Sequence, residues 1–407
     1  MEKSQPQAKL EHHHTIFDGW RSIAIALYMA LLGYGVSVGI PVISSAWVEL
    51  LGFSEVEVGR VAGADLGGLA LGSIMASLLI QRINRRIIAL GGIFLVIIAN
   101  GLCMIFVDYD HVLWLRAMAG TGGGIYTAIA LATLGATSRP TRAFNMLLFA
   151  FAFTQALEIQ ILPQLSMNGI YGLFISLYLI SVFFLRWIPT HAVKDIADVD
   201  LDVTDQRGKH HHIHKKIPKY VPWFCLMAIL GIYTSIGAYW TYIELASVSA
   251  GIDKEWINNV LVWASFMSIL GCLFSTFISD RIGIARPLLV ALLAMAFVVS
   301  LMIGDIRNMD LLISAMLFNF LWLFIDVYQM GAMSIFDPSG RFVSLIVGAQ
   351  GLGQIIGPNL AATLLSYQLG YDAVFIMCAC AALMSMIIYG TMYVRLRSVI
   401  PALADAS

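Results

Sequence analysis

Charge is scarce in this sequence. Of its 407 residues, 12% are Asp, Glu, Lys or Arg, and 59% are hydrophobic. A soluble domain carries roughly 25% charged residues. With a mean hydropathy of +0.82, that deficit excludes an ordinary water-soluble globule and points to lipid as the solvent. A patch of one sign is missing too. The formal net charge is −1 and the charges sit between apolar blocks, so there is no basic face and no nucleic-acid partner is expected. Cysteine is sparse. Cys103, Cys225, Cys272, Cys378 and Cys380 all lie inside apolar runs, with no CxxC pair among them. No extracellular disulfide framework and no zinc site follow, and each thiol reads as small apolar filling. HExxH on a helix, a Ser-His-Asp elbow and a strand leading into a phosphate loop are all absent. An enzyme, a resident cofactor and a bound metal are therefore not expected. No cleavable signal peptide is evident, because the first apolar run, from near Trp20, is too long for a signal's core. The "LEHHH" at Leu10–His14 resembles a tag fragment and stands outside the fold argument.

Long apolar runs are what the sequence has. About 20 such residues span the hydrocarbon core as a helix. Twelve runs are expected, near 20–45, 55–81, 86–107, 111–136, 142–165 and 169–188, then 221–248, 255–280, 285–304, 308–335, 341–366 and 371–395. One long polar connection, 189–220, carries "GKHHHIHKKIPK" and divides the chain into six plus six. The expected layout is an N-terminal tail (1–19), a first six-helix bundle (20–188), a His-rich linker (189–220), a second bundle (221–395) and a tail (396–407). Lys and Arg set the orientation. Twenty of the 24 fall on the side of the termini and the linker, leaving Arg60, Arg116, Lys254 and Arg307 on the other side or within spans. That bias places both termini and the linker in the cytoplasm of an inner-membrane protein.

The halves repeat at an offset of 199 residues. "GSIMASLLIQRINRR" from Gly72 aligns with "GCLFSTFISDRIGIAR" from Gly271, "FSEVEV" with "IDKEWI", and Arg142 with Arg341. Ser54 and Asp253 then each read as an N-cap, opening the second and eighth spans. Parallel repeats of this kind build transporters with a midplane site between two bundles. Over essentially the whole chain the layout resembles the major facilitator superfamily, twelve-helix type. The family's loop between helices 2 and 3 usually reads Gly-x3-Gly-x3-Asp-Arg-x-Gly-Arg-Arg. Here Gly72, Arg82, Arg85 and Arg86 match it, while Gln81 and Asn84 stand where Asp and Gly are usual. The second copy keeps Asp280, Arg281 and Gly283. The resemblance implies a cytoplasmic gate using Arg82, Asp280, Arg281, Arg142 and Arg341. It also implies that spans 1, 4, 7 and 10 line a central path, with 2, 5, 8 and 11 beside it.

Charge at membrane depth is a functional-site hypothesis by default. The residues concerned are Asp65, Arg116, Glu158, Glu244 and Asp326, with Glu49 nearer the outer end of the first span. Four acids against one base is unbalanced. A carboxylate without a partner in a dry site favours its protonated form, which is the chemistry of proton coupling. All five are therefore candidates for that role. Helical spacing groups Tyr233, Gly237, Trp240, Thr241 and Glu244 on one face, Asn319, Trp322, Asp326 and Gln329 on another, and Phe151, Gln155 and Glu158 on a third. The eleventh span carries "GAQGLGQIIGPNLAA" from Gly348, with Gln354 and the bending Pro358. Candidate substrate contacts are Arg116, Gln155, Tyr233, Trp240, Thr241, Asn319, Trp322, Gln329 and Gln354. For the aromatic residues of this set, plain core packing is the competing reading. Buried acids can likewise simply hold helices together.

In "LWLRAMAGTGGGIY" from Leu113, glycines 120, 122, 123 and 124 follow Arg116. Without a preceding strand this is no phosphate loop. Arg116, Gly120, Gly123 or Gly124, and Thr127 share a face suited to close helix packing. Arg116 and Gly120 also resemble the family's Arg-x-x-x-Gly motif on helix 4, which implies a part in proton transfer. The histidine clusters, His12–His14 and His210–His214, lie in polar segments and read as solvated loop sequence.

The sequence thus supports a proton-coupled secondary transporter of a small organic solute, an organic acid or an amphipathic aromatic compound. Drug/proton antiport is an alternative, and a non-transporting sensor using the His-rich linker is a second. Expected partners are the solute, protons and the bilayer, with a monomer as working unit. A fluorescent reporter that folds only in cytoplasm should be active when fused after Ser407. Activity of an exported phosphatase at that point instead would invert the topology.

Overall fold

The structure is a computed structural model that describes residues 17–80, 82–137, 140–190, 220–282, 285–336 and 345–399. Hydrocarbon offers no hydrogen bonds, so a spanning backbone must satisfy its own N–H and C=O groups. Every long element described is an α-helix. In chain order they are α1 (Trp20–Gly33), α2 (Gly35–Leu51), α3 (Glu55–Leu79), α4 (Arg85–Cys103), α5 (Tyr109–Gly135), α6 (Pro140–Ile161) and α7 (Met167–Phe184). After the linker come α8 (Val221–Ser249), α9 (Lys254–Ile282), α10 (Ala285–Ser300), α11 (Asn308–Phe336), α12 (Ile346–Ser366) and α13 (Gly370–Val399).

The first expected span is two helices meeting at Tyr34, which together read as one 32-residue span, Trp20–Leu51. Among the described residues, ten spans, with α1 and α2 counted as one, are long and apolar enough to cross a membrane. α10 is shorter, and α12 is diluted by Gln350, Gln354 and Asn359. Both expected caps are present. Ser54 Oγ accepts from Glu57 N at 3.3 Å, and Glu57 returns the bond to Ser54 N at 2.8 Å. Asp253 Oδ2 accepts from Trp256 N at 3.1 Å.

Most packing lies within α1–α7 or within α8–α13. The main contacts across are α3 on α12, α6 on α9 and α2 on α8. Under the 199-residue repeat, the first contact maps onto the second and the third onto itself. The described hydrogen bonds between halves fall at the helix middles or on the side away from the termini. Arg60 on α3 donates to Asn359 O at 3.2 Å, to Asn359 Oδ1 at 3.0 Å and to Thr363 Oγ1 at 2.8 Å on α12. Tyr242 donates to Glu55 O at 2.8 Å, Asn258 to Gln160 at 3.1 Å, and Lys254 pairs with Glu49.

α5 is the centre of the first half, and its glycines explain why. A Cβ at Gly120 would run into the Asp65 carbonyl, and one at Gly124 into the Leu69 carbonyl, both on α3. Gly122 faces the Gly92 carbonyl of α4, and Gly123 faces Gly33 of α1. So the face expected from sequence is really two. Arg116, Gly120 and Gly124 meet α3, while Gly123 and Thr127 meet α1. On α4, by contrast, Gly101 has open space around it. Gly124→Ala should therefore cost ~1–3 kcal/mol of stability through overpacking, and Gly101→Ala should stay within ~0.5 kcal/mol. Thermal unfolding of the two purified variants checks this, and equal midpoints would refute the packing account.

Candidate functional site

A small cavity with room for about one water molecule lies between the halves. Ser37 and Ile40 of α2 and Leu66 of α3 line it from the first half. Ile236, Gly237 and Trp240 of α8, Trp322 of α11 and Gln354 of α12 line it from the second. Two of the lining helices are broken by proline, Pro41 in α2 and Pro358 in α12. Proline has no N–H to give to the carbonyl four residues back. Those carbonyls belong to Ser37 and Gln354, both on the cavity wall. Gly237 lets Gln354 and Pro358 approach α8 closely. The Trp240 and Trp322 rings are 6.3 Å apart at 64°, and Trp240 Nε1 donates across the interface to Val38 O at 3.2 Å.

Asp326 and Tyr233 sit one helical turn from this layer, toward the terminal side. Tyr233 donates to Asp326 Oδ2 at 2.7 Å, and Asp326 Oδ1 has no hydrogen-bond partner. Tyr34, at the α1–α2 junction of the other half, lies within electrostatic reach of Asp326. Glu158 of α6 rests in a notch made by Gly35 and Gly39 of α2, and its Oε2 is unpartnered. Glu244 of α8 lies beside Ser45 of α2, with Glu49 and Lys254 nearby and Oε2 unpartnered. Asp326 and Glu244 thus stand at the interface of the halves, whereas the glycines against Glu158 belong to its own half.

Asp65 and Arg116 are different. Arg116 Nε donates to Asp65 Oδ2 at 2.6 Å, its Nη2 pairs with the same oxygen, and Nη1 donates to Asn100 Oδ1 at 2.8 Å. Both side chains are 3% exposed. The guanidinium also stands 5.8 Å from the Tyr171 ring, and Trp47 donates to the Tyr171 hydroxyl at 3.4 Å. This is a cluster inside the first half that joins α2, α3, α4, α5 and α7. The imbalance of four acids to one base is therefore corrected to three unpaired acids and one ion pair. Arg116 contributes nothing to the cavity wall, nor does the rest of α5.

A family model for the Major Facilitator Superfamily matches residues 25–339. The chain belongs to that superfamily. Among solved structures it is similar to the nucleoside transporter NupG, at a TM-score of 0.67 and 12% identity, covering 91% of this chain and 98% of that one. A mutant form of the same transporter gives 0.69 and 12%, covering 91% and 99%. At that identity the likeness concerns the fold. No curated protein matches the sequence. The match makes the chain a multi-pass membrane transporter rather than an enzyme.

As expected for a superfamily transporter, spans 1, 7 and 10 reach the cavity, as α2, α8 and α11. Span 4 does not, and spans 2 and 11 take its place as α3 and α12. Of the expected contacts, Trp240, Trp322 and Gln354 line the cavity, and Tyr233 holds Asp326. Thr241 is turned to its own helix, donating to Gly237 O at 2.7 Å. Asn319 donates to Ala315 O at 3.1 Å, leaving Oδ1 unpartnered. Gln155 and Gln329 are buried with unpartnered amide atoms.

Of the expected gate, Arg82 and Arg142 are exposed, whereas Gln81, Arg341 and the side chains of Asp280 and Arg281 lie outside the described residues. So do both histidine clusters and most of the linker. Arg85 and Arg86 staple the first half to itself. Arg85 donates to Thr133 at 3.3 Å over the Phe17 ring, and Arg86 donates to Ile188 O at 2.8 Å and Arg186 O at 2.6 Å.

Sequence reasoning missed Ser37, Tyr34, Ser45 and Asn100. Asn100 was findable, being the one amide in the apolar run 87–107. The others carry no such mark. Removing one partner of a buried ion pair costs ~3–5 kcal/mol, whereas replacing both with apolar groups of similar size is often neutral. Arg116→Met should therefore destabilise strongly, and Arg116→Met with Asp65→Leu should recover most of the loss in a thermal-unfolding series. Additive losses would mean that the two side chains act independently.

Proposed function

We propose that the chain is a proton-coupled secondary transporter that moves a small amphipathic aromatic solute by alternating access. The observation that carries this reading is a cavity between the halves with two tryptophans and an amide on its wall. Two acids with an unpartnered oxygen, Glu244 and Asp326, stand one helical turn along from its tryptophans. Tryptophans offer flat apolar faces, and Gln354 with the Ser37 hydroxyl would fix the solute's orientation. An unpartnered carboxylate in a dry site takes up a proton, so Glu244, Asp326 and Glu158 are the coupling residues in this reading. Asp65 keeps a subsidiary coupling role, modulated by Arg116. The organic-acid variant is set aside, because the cation that would hold the acid is engaged by Asp65 and Asn100.

The reading takes the helices as twelve spans in two six-helix bundles, with α1 and α2 forming one span. It places both termini in the cytoplasm at the inner membrane, and the monomer as the working unit. The bonds of Arg60, Tyr242, Asn258 and Lys254 then seal the outer side, and the cavity would communicate with the cytoplasm. Arg82, Asp280, Arg281, Arg142 and Arg341 would close that inner side in the other half of the cycle. Because the similar solved protein is a nucleoside transporter, uridine and adenosine belong in a first solute screen beside simpler aromatic compounds.

In proteoliposomes with an imposed pH gradient, Glu244→Gln and Asp326→Asn should each reduce gradient-driven flux about tenfold or more while leaving exchange without a gradient measurable, a loss of at least ~1.4 kcal/mol of coupling. Full gradient-driven flux in both variants would remove these acids from the mechanism. In cells a protonophore should abolish uptake by an importer and raise accumulation for an exporter, which separates uptake from drug/proton antiport.

A further inference from the structure

Fixed charge near the cavity is one-sided. The Trp240 indole N–H goes to Val38 O and the Tyr233 hydroxyl to Asp326. Asp326 Oδ1 has no partner, and prolines 41 and 358 withhold an N–H from the carbonyls of Ser37 and Gln354. The Ser37 hydroxyl and the Gln354 amide on the wall can donate or accept. Cations are committed elsewhere among the described buried residues. Arg116 is held by Asp65 and Asn100, and Arg85 by Thr133 and the Phe17 ring, all within the first half.

A wall with two indole rings and one carboxylate a helical turn away, and with no cation on it, suits a particular class of ligand. We infer that the solute is an organic cation with an aromatic body, its charged end directed toward Asp326 and its ring against Trp240 and Trp322. An aromatic ring against indole faces gains from stacking beyond its area burial. An unpartnered carboxylate oxygen adds a charge-assisted contact with any N–H that the cation carries. A carboxylate ligand would meet the opposite situation, with no free cation to receive it. The inference rests on reading the cavity as an aromatic-solute site, and it specifies the charge of that solute.

The test uses three aromatic probes of similar size on the purified full-length protein by isothermal titration: phenyltrimethylammonium, acetophenone and benzoate. The cation should bind about tenfold more tightly than acetophenone, which corresponds to ~1.4 kcal/mol, and benzoate should bind weakest. Asp326→Asn should lower affinity for the cation about tenfold while leaving acetophenone within about twofold, and Asp326→Glu should keep the order of the wild type. If Asp326→Asn does not fold, the ranking on the wild type decides alone. Acetophenone binding as tightly as the cation, or benzoate binding tightest, overturns the inference and leaves the aromatic-site reading intact. Undiminished cation binding in a folded Asp326→Asn protein also overturns it. Failure of all three probes to bind overturns the aromatic-site reading and the inference with it.

Discussion

An ionised side chain in the middle of a bilayer costs several kcal/mol unless something compensates. How this chain meets that cost organises much of its interior. Asp65 and Arg116 cancel one another, and Asn100 takes a further donor of the guanidinium. With that pair closed on itself, α3, α4 and α7 can pack as apolar helices around α5. Glu158, Glu244 and Asp326 are not closed in this way. Each keeps an oxygen without a partner, and Glu244 and Asp326 stand where one half meets the other. The oxygens of these two are well placed to feel a rearrangement between the halves.

Close approach of helices supports this arrangement. α5 touches α3, α4 and α1 through glycines whose missing Cβ atoms make room for neighbouring carbonyls. The same device recurs between halves. Gly59, Gly63 and Gly67 of α3 lie against α12, and Gly351 of α12 lies against Ala70. Inside one half, such faces fix helices that also share an ion pair. Between halves the glycines receive side chains of the other half, Tyr242 at Gly59, Asn359 at Gly63 and Ile355 at Gly67.

The architecture was largely readable from the sequence, because it follows from two strong signals. Apolar length sets spans, and the 199-residue repeat sets their pairing. Ser54 and Asp253 could be identified as caps because cap chemistry is local. The site was readable only in part. Trp240 and Trp322 were named from helical spacing, which reports the face of a residue but not what stands opposite, and Gln354 from the glycine-proline stretch of the eleventh span. Opposition is what decided Arg116. From its own helix it could equally have faced a solute, and only the packing of α3 and α4 against α5 turned it to Asp65 and Asn100. Tyr34 and Ser45 went unnoticed for the converse reason. A tyrosine or serine in an apolar helix is unremarkable until an acid from another helix lies beside it. The glycine cluster that looks like a phosphate loop in isolation is, in the fold, the surface that makes α5 central.

The seal built by Arg60 has a consequence for how the two halves separate. Its three acceptors are a backbone carbonyl, an amide and a hydroxyl, none of which carries charge. Water can replace every one of them on both sides of the break. Because the donor is a guanidinium, each such bond is worth ~1.5–3 kcal/mol net, and with a neutral acceptor little of that responds to ionic strength. Of the described contacts on the side away from the termini, the exposed Lys254–Glu49 pair is the one between two charges and so the most sensitive to salt screening. Resistance to opening on that side then comes chiefly from wetting the dry α3–α12 surface beneath, so solvent and lipid composition should govern it more than electrolyte does.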